Sequence, residues 1–196
     1  MSPVHRNQLQ PGLQRKPYFT FTVLIIILHA YAPLKLFSPL LQSAQRNCIK
    51  VDGAGRRILQ GGGYEYDFKS HRLYRKRSQP EVPEIMKDLR NLVRDHLNIR
   101  LPLLMVNCYH REQGVDAHRD SLDYGDHVAV VSTGGSAVLT FRHLHGGDTF
   151  SVLLKPRSLF VISGPLRNDS KHFIEPSSSV DPRASFTFRS LALNYH

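Results

Sequence analysis

From Leu103 to the C-terminus the hydrophobic pattern settles into a repeat of two, and this rhythm most constrains the fold. A period of two marks strands with one buried face. Seven segments carry it: 103–109, 115–120, 127–132, 137–142, 149–154, 158–163 and 184–192. Gly, Pro, Asp and Asn punctuate them, as turns require. Ahead of them, 80–99 repeats apolar side chains at helical spacing through Ile85, Met86, Leu89, Leu92, Val93 and Leu97, with Pro83 near the start. Gly61-Gly62-Gly63 marks a turn before an alternating strand at 64–68, and 71–77 is expected to be a basic loop. The expected class is α+β, mainly β: a jelly roll or sandwich with a supporting N-terminal helix.

A chain of 196 residues with 41% hydrophobic content buries one core of ordinary size, with room for extensions. Cys48 and Cys108 are the only cysteines, which excludes a disulfide scaffold and a Cys-rich zinc site. The net charge of +10 is uneven: residues 1–50 hold six basic residues and no acidic one, and the other 146 hold 20 and 16. The globular part is thus mildly basic, which admits a nucleic-acid partner without requiring one.

Residues 1–48 read as an N-terminal extension and 49–196 as the domain. No candidate site residue precedes Ile49, so the extension is expected to be dispensable for chemistry. A basic, proline-bearing start, an apolar run at 19–28 and Ala30-Tyr31-Ala32 have the outline of a signal peptide. The lack of acids also allows an organelle transit sequence. The run is short for a membrane span, and its β-branched content equally suits a strand or hydrophobic arm. Targeting by residues 1–32 and residence in the cytoplasm or nucleus both stand open, and no stable membrane partner is expected.

The chemistry-bearing residues lie in the second half. His118 and Asp120 are two apart, so on a strand they project to one side. His172 would join them from a distant strand. Two histidines and one carboxylate, with positions left open, are what a non-haem Fe(II) oxygenase needs. His-x-Asp alone is weak among 11 histidines, and His127, His143, His145 and His196 read as ordinary surface or loop residues. The segment 183–189 adds weight. Arg183, Ser185, Thr187 and Arg189 share one strand face, and Ala184, Phe186 and Phe188 the other. A two-arginine face fits a pocket for a dianion, because guanidinium grips carboxylate through two parallel bonds. A solvated edge strand is the plainer alternative.

Asn107-Cys108-Tyr109, Gly114-x-x-x-His118-x-Asp120, Tyr124-x-Asp126-x-Val128-Ala129-x-Val131-Ser132-x-Gly134, His172 and Arg183-(five residues)-Arg189 follow in order. Over about residues 62–193 the chain thereby resembles the AlkB family of 2-oxoglutarate- and Fe(II)-dependent dioxygenases. The resemblance implies a double-stranded β-helix. It implies that His118, Asp120 and His172 ligate Fe(II), and that Asn107, Tyr109 and Arg183 hold 2-oxoglutarate, with Arg183 on the distal carboxylate. Arg189 would orient Asp120 from behind. With O₂ the implied reaction yields succinate and CO₂ and hydroxylates a substrate C–H bond, which on an N-methyl group ends in demethylation. No catalytic side chain beyond the ligands is implied.

The ending Arg-Ala-Ser-Phe-Thr-Phe-Arg and the early Gly-Gly-Tyr-Glu-Tyr most resemble the subgroup that modifies the wobble uridine of tRNA. A modified nucleobase is therefore the expected substrate, in RNA rather than DNA. A protein or small-molecule substrate is the alternative, and a non-catalytic scaffold is disfavoured by the intact trio. Arg72, Tyr74, Arg75, Lys76 and Arg77, with His71, interleave an aromatic with cations, which suits RNA contact; a solvated loop is the competing reading. No RNA-recognition or methyltransferase domain is evident, so the grip is expected from this domain or a partner. Two positions depart from the family pattern: Phe173 follows the distal histidine where glycine is usual, and Thr133-Gly134-Gly135 replaces leucine then glycine. Phe173 is expected to shift His172 or narrow the substrate mouth.

Overall fold

The period-two segments become strands of two facing sheets in the computed structural model, which describes residues 24–27, 34–53, 55–78, 81–147, 149–176 and 181–192. The first half holds β1 (Leu24–Ile27), α1 (Phe37–Asn47), β2 (Lys50–Val51), β3 (Arg57–Gly61), β4 (Tyr64–Asp67), β5 (Arg72–Arg75) and α2 (Glu84–Leu97). The second holds β6 (Leu103–Tyr109), β7 (Val115–His118), β8 (Tyr124–Gly134), β9 (Ala137–His143), β10 (Thr149–Leu154), β11 (Ser158–Ile162), α3 (Gly164–Asn168), β12 (Ser170–Ile174) and β13 (Arg183–Leu191). The major sheet runs β1-β11-β8-β13-β6-β3-β2, the minor sheet β10-β9-β12-β7, and β4-β5 stands apart as a hairpin.

Alternation divides each strand between two cores. On β13, Ala184, Phe186 and Phe188 are fully buried against α1 and α2 on the outer face of the major sheet. Burying each phenylalanine contributes about 1.5–3 kcal/mol. Between the sheets, Val128, Val130 and Phe160 of the major sheet meet Leu139, Phe141 and Val152 of the minor sheet. Helices, major sheet and minor sheet thus form three layers, the double-stranded β-helix with helical support that the sequence predicts. A third cluster, Leu73, Leu103 and Tyr124 with Tyr64 and Tyr66, anchors the hairpin.

Several expectations change. The helix expected over 80–99 spans Glu84–Leu97; Pro83 precedes its first turn, and Asn98 ends it in the left-handed conformation (φ 53°). The basic stretch 71–77 contains strand β5, because Leu73 packs inward and pairs with Tyr66 of β4. Strands β3 and β12 also emerge. The boundary expected at residue 48 is corrected: α1 lies inside the fold, with Phe37, Leu40, Ala44 and Cys48 buried in the main core. Part of the apolar run, β1, pairs antiparallel with β11 at the edge of the major sheet. The rest of the targeting segment 1–32, the serine tip 177–179 and His196 lie outside the described residues. Cys48 and Cys108 are free and buried. Among the described residues no helix is long and apolar enough to cross a membrane.

Candidate active site

The register of β12 against β7 sets His172 directly opposite His118. Cross-strand neighbours on one face approach within about 5 Å, and the two imidazole centroids stand 4.3 Å apart. Asp120, two residues past His118, completes the cluster: one ligand atom from each of the three lies within 4.8 Å of the others. Each group is prepared from behind. Nδ1–H of His118 donates to the Asp116 carbonyl at 2.8 Å, which leaves Nε2 with its lone pair. Oδ1 of Asp120 accepts from Nη2 of Arg189 at 3.0 Å.

Burial alone would raise the Asp120 pKa. The Arg189 guanidinium, then His172 and His118, reverse this and hold it at about 2. Burial above all pushes the His172 imidazole down to about 4, with Asp120 opposing. Both groups therefore stand in the deprotonated form that a metal requires. The second carboxylate oxygen, Oδ2 of Asp120, is buried with no hydrogen-bond partner among the described residues. An orphaned buried anionic oxygen beside two imidazoles fits a divalent iron.

The floor of the pocket comes from β13. Its polar face presents Arg183 and Arg189 across the site, in register with Tyr109 and Leu103 of β6 and with Gly134 and Val128 of β8. Arg183 is 6% exposed. Its guanidinium lies 4.7 Å over the Tyr109 ring and donates from Nη2 to Ser132 Oγ at 3.2 Å. Nε and Nη1 have no partner among the described residues. A buried cation with two unmet donors costs several kcal/mol unless an anion completes it, so Arg183 fits a carboxylate of 2-oxoglutarate. Tyr109 and Asn107 both reach Ser185 Oγ, at 3.4 and 3.5 Å, which holds them on the same wall. Arg189 lies 4.7 Å over the Tyr124 ring, and burial pushes the Tyr124 phenol above its ordinary range.

One cavity of about 510 Å³ takes in the trio, both arginines, Asn107 and Tyr109. Its mouth is lined by Tyr66, Phe68 and His71 of the hairpin. Tyr66 meets Phe68 edge-on at 5.2 Å, and its hydroxyl lies 3.3 Å from His71 Nδ1. The five hairpin residues expected to grip substrate do not line this cavity. Arg75, Lys76 and Arg77 line a separate one, while Arg72 and Tyr74 lie on the hairpin's other face beside their partners Asp67 and Glu65.

Phe173 is corrected as well. Alternation on β12 turns it away from His172, Arg142 covers its ring at 5.3 Å, and it does not line the cavity that takes in the trio. Gly134 has a positive φ of 76°, and a Cβ there would stand 2.0 Å from the Pro182 carbonyl. The glycine lets β8 end against the start of β13.

The sequence gives no sign of Arg167 on α3. It is 3% exposed. Nε donates to the Gly125 carbonyl at 2.8 Å, and Nη2 to the carbonyls of Ser121 (2.8 Å) and Tyr124 (2.9 Å). The mouth aromatics alternate along β4 and its turn, and only their position over the site marks them.

The model of the 2OG-Fe(II) oxygenase superfamily matches residues 40–189. The tRNA (carboxymethyluridine(34)-5-O)-methyltransferase ALKBH8 of Mus musculus is 29% identical over 131 residues, covering 65% of this chain. The matched part is 20% of that relative's length. The solved structure of OsALKBH1 shares the fold, with a TM-score of 0.62, 15% identity and coverage of 87% of this chain and 98% of that one. A matched family model across most of the chain and a shared fold agree with the geometry: the fold is AlkB-like, and the chain belongs to the 2OG-Fe(II) oxygenase superfamily.

Proposed function

We propose that this oxygenase hydroxylates or oxidatively demethylates a modified nucleobase in RNA, with tRNA the favoured carrier. The observation that carries the reading is one cavity that joins the His118–Asp120–His172 trio, the unmet Arg183 donors and an aromatic mouth. The tRNA-directed name of the relative from Mus musculus supports the substrate class.

Fe(II), 2-oxoglutarate and O₂, when bound, supply an oxidation in which 2-oxoglutarate becomes succinate and CO₂ and one oxygen atom enters a substrate C–H bond. His118, Asp120 and His172 would hold the iron. Arg183, backed by Tyr109 and Asn107, would take the distal carboxylate in its fork. Arg189 holds Asp120 ionised and fixed in orientation. Tyr66 and Phe68 offer flat faces to a base, and stacking on such faces is tolerant of base identity.

The test incubates the protein with Fe(II), 2-oxoglutarate and tRNA taken from cells that lack it. Succinate formation should rise with tRNA, and one modified nucleoside should gain an oxygen atom or lose a methylene by mass spectrometry. His118→Ala and Asp120→Ala should abolish both signals. Arg183→Ala should weaken 2-oxoglutarate binding by about 1.5–3 kcal/mol, or about 10- to 150-fold. Arg183→Lys should rescue little, because a point charge lacks the fork. Succinate formation indifferent to every tRNA fraction, with no nucleoside changed, would reject RNA as substrate while leaving the oxygenase intact.

A further inference from the structure

We propose that the root of the β4–β5 hairpin is a docking groove for the phosphodiester backbone of the RNA whose nucleotide enters the iron pocket. The proposal rests on the RNA reading above and adds a second contact site to it. A cavity of about 980 Å³ opens there, lined by Arg75, Lys76, Arg77 and Arg100 and, among the described residues, by no acidic one. Arg100 arrives from the turn after α2, separated from Arg77 by the whole helix. Among the described residues, Lys76 is paired, at 3.1 Å from Glu65, whereas Arg75, Arg77 and Arg100 form no ion pair. Three guanidiniums without an ion pair among the described residues, set around one concavity, repel one another and concentrate anions there.

The hairpin's two faces explain which cations take part. Arg75 pairs with Tyr64 and shares the inward face of Leu73 and Tyr66. Arg72 and Tyr74 share the outward face with Asp67 and Glu65, two acids that weaken any hold on phosphate. Two glycines shape the floor. A Cβ on Gly62 would stand 2.1 Å from the Pro102 carbonyl, so glycine lets the hairpin root lie flat on that backbone. Gly63 has a positive φ of 85°, which glycine adopts without strain at the turn beside Arg75.

Tyr66 lines the iron pocket and Tyr64 lines the groove. Two residues along a strand span about 7 Å, so one short strand of nucleic acid reaches both. A base inserted past Tyr66 and Phe68 places its neighbouring phosphates over Arg75 and Arg100. Guanidinium forks match phosphate oxygens, and this sequence-blind hold complements a pocket that reads one base.

The test measures binding of a fluorescent single-stranded RNA oligonucleotide to the full chain by anisotropy across a salt series. Each phosphate contact adds about 0.7 to the slope of log affinity against log salt for single strands. The triple variant Arg75→Ala, Arg77→Ala, Arg100→Ala should lower that slope by about 2 and weaken binding about tenfold or more near 0.1 M salt. Arg100→Ala alone should lower it by about 0.7. Arg94→Ala, an exposed change on α2, should leave it at the wild-type value. Thermal melting of each variant separates lost contacts from lost folding. An unchanged slope in a folded triple variant, with wild-type RNA binding intact, would overturn the groove and leave the RNA reading standing. Absence of RNA binding by the wild type would remove both. Displacement of RNA by polyglutamate at equal charge concentration would assign the groove to an acidic protein instead.

Discussion

Arg167 is a buried cation that forms no ion pair among the described residues; Nε and Nη2 are spent on backbone carbonyls, and Nη1 donates to Asn168 Oδ1 at 3.2 Å. The three carbonyls it holds belong to the segment 121–125, which begins directly after Asp120 and includes Tyr124, the ring under Arg189. It is a positioning residue, because it fixes the chain that carries the carboxylate without touching the trio. Arg167→Lys keeps the charge but loses the planar fork, leaving two buried acceptors unmet. Each unmet acceptor costs about 1–3 kcal/mol, and each kcal/mol lowers Tm by about 2–4 °C in a domain of this size. The expected outcome is a Tm lower by about 4 °C or more, together with a raised Fe(II) requirement for succinate formation. A lower Tm with an unmoved iron titration would leave Arg167 a structural role only.

At the scale of elements, two pairings make the site. Register between β7 and β12 sets His118 against His172, and a slip of one residue would turn His172 to the Phe173 side of the sheet. Helix α1 makes the other contribution from behind, by covering the outer face of the major sheet whose inner face carries Arg183 and Arg189. The expectation that residues 1–48 are dispensable therefore gives way. A chain beginning at Ile49 loses Phe37, Leu40, Ala44 and Cys48 from the main core. Leu40→Ala alone should cost about 2–5 kcal/mol in denaturant unfolding, and the shortened chain should fail to melt cooperatively. A cooperative transition with active 2-oxoglutarate turnover from Ile49 onward would show the helix to be accessory.

Across the whole molecule the pocket is where the two sheets meet. The trio hangs from the minor sheet and the loop leading out of it, and the arginines stand on the major sheet. Metal would tie β7 to β12, and a dicarboxylate reaching Arg183 would tie one sheet to the other. Mn(II), a redox-silent stand-in, should then stabilise the fold, by about 2.7 kcal/mol at a hundredfold excess over Kd. This corresponds to a rise in Tm of about 5–11 °C. 2-Oxoglutarate should raise Tm further only when the metal is present. His118→Ala should remove both shifts in differential scanning fluorimetry. A wild-type protein unmoved by Mn(II) would deny that the trio binds metal.

Local periodicity by itself determined much of this protein. Strands β6 and β10, the two-faced β13 and the core of α2 follow from which side chains recur at two or at three to four residues. The closeness of His118 and Asp120 follows from their spacing, although β7 ends at His118 and Asp120 lies just beyond the strand. Features that depend on distant segments were not legible in the same way. Arg183 and Ser132 meet across 51 residues, and Arg189 and Asp120 across 69. Strand β5 looked like a loop because its charges outnumber Leu73, the one side chain whose burial makes it a strand. Helix α1 looked like an arm because its few apolar residues gain meaning only against the major sheet. Arg167 and Arg100 carry no local pattern at all. Periodicity reports the conformation a segment prefers, whereas sheet register and chain closure decide which segments touch, and those are settled only when the whole core forms.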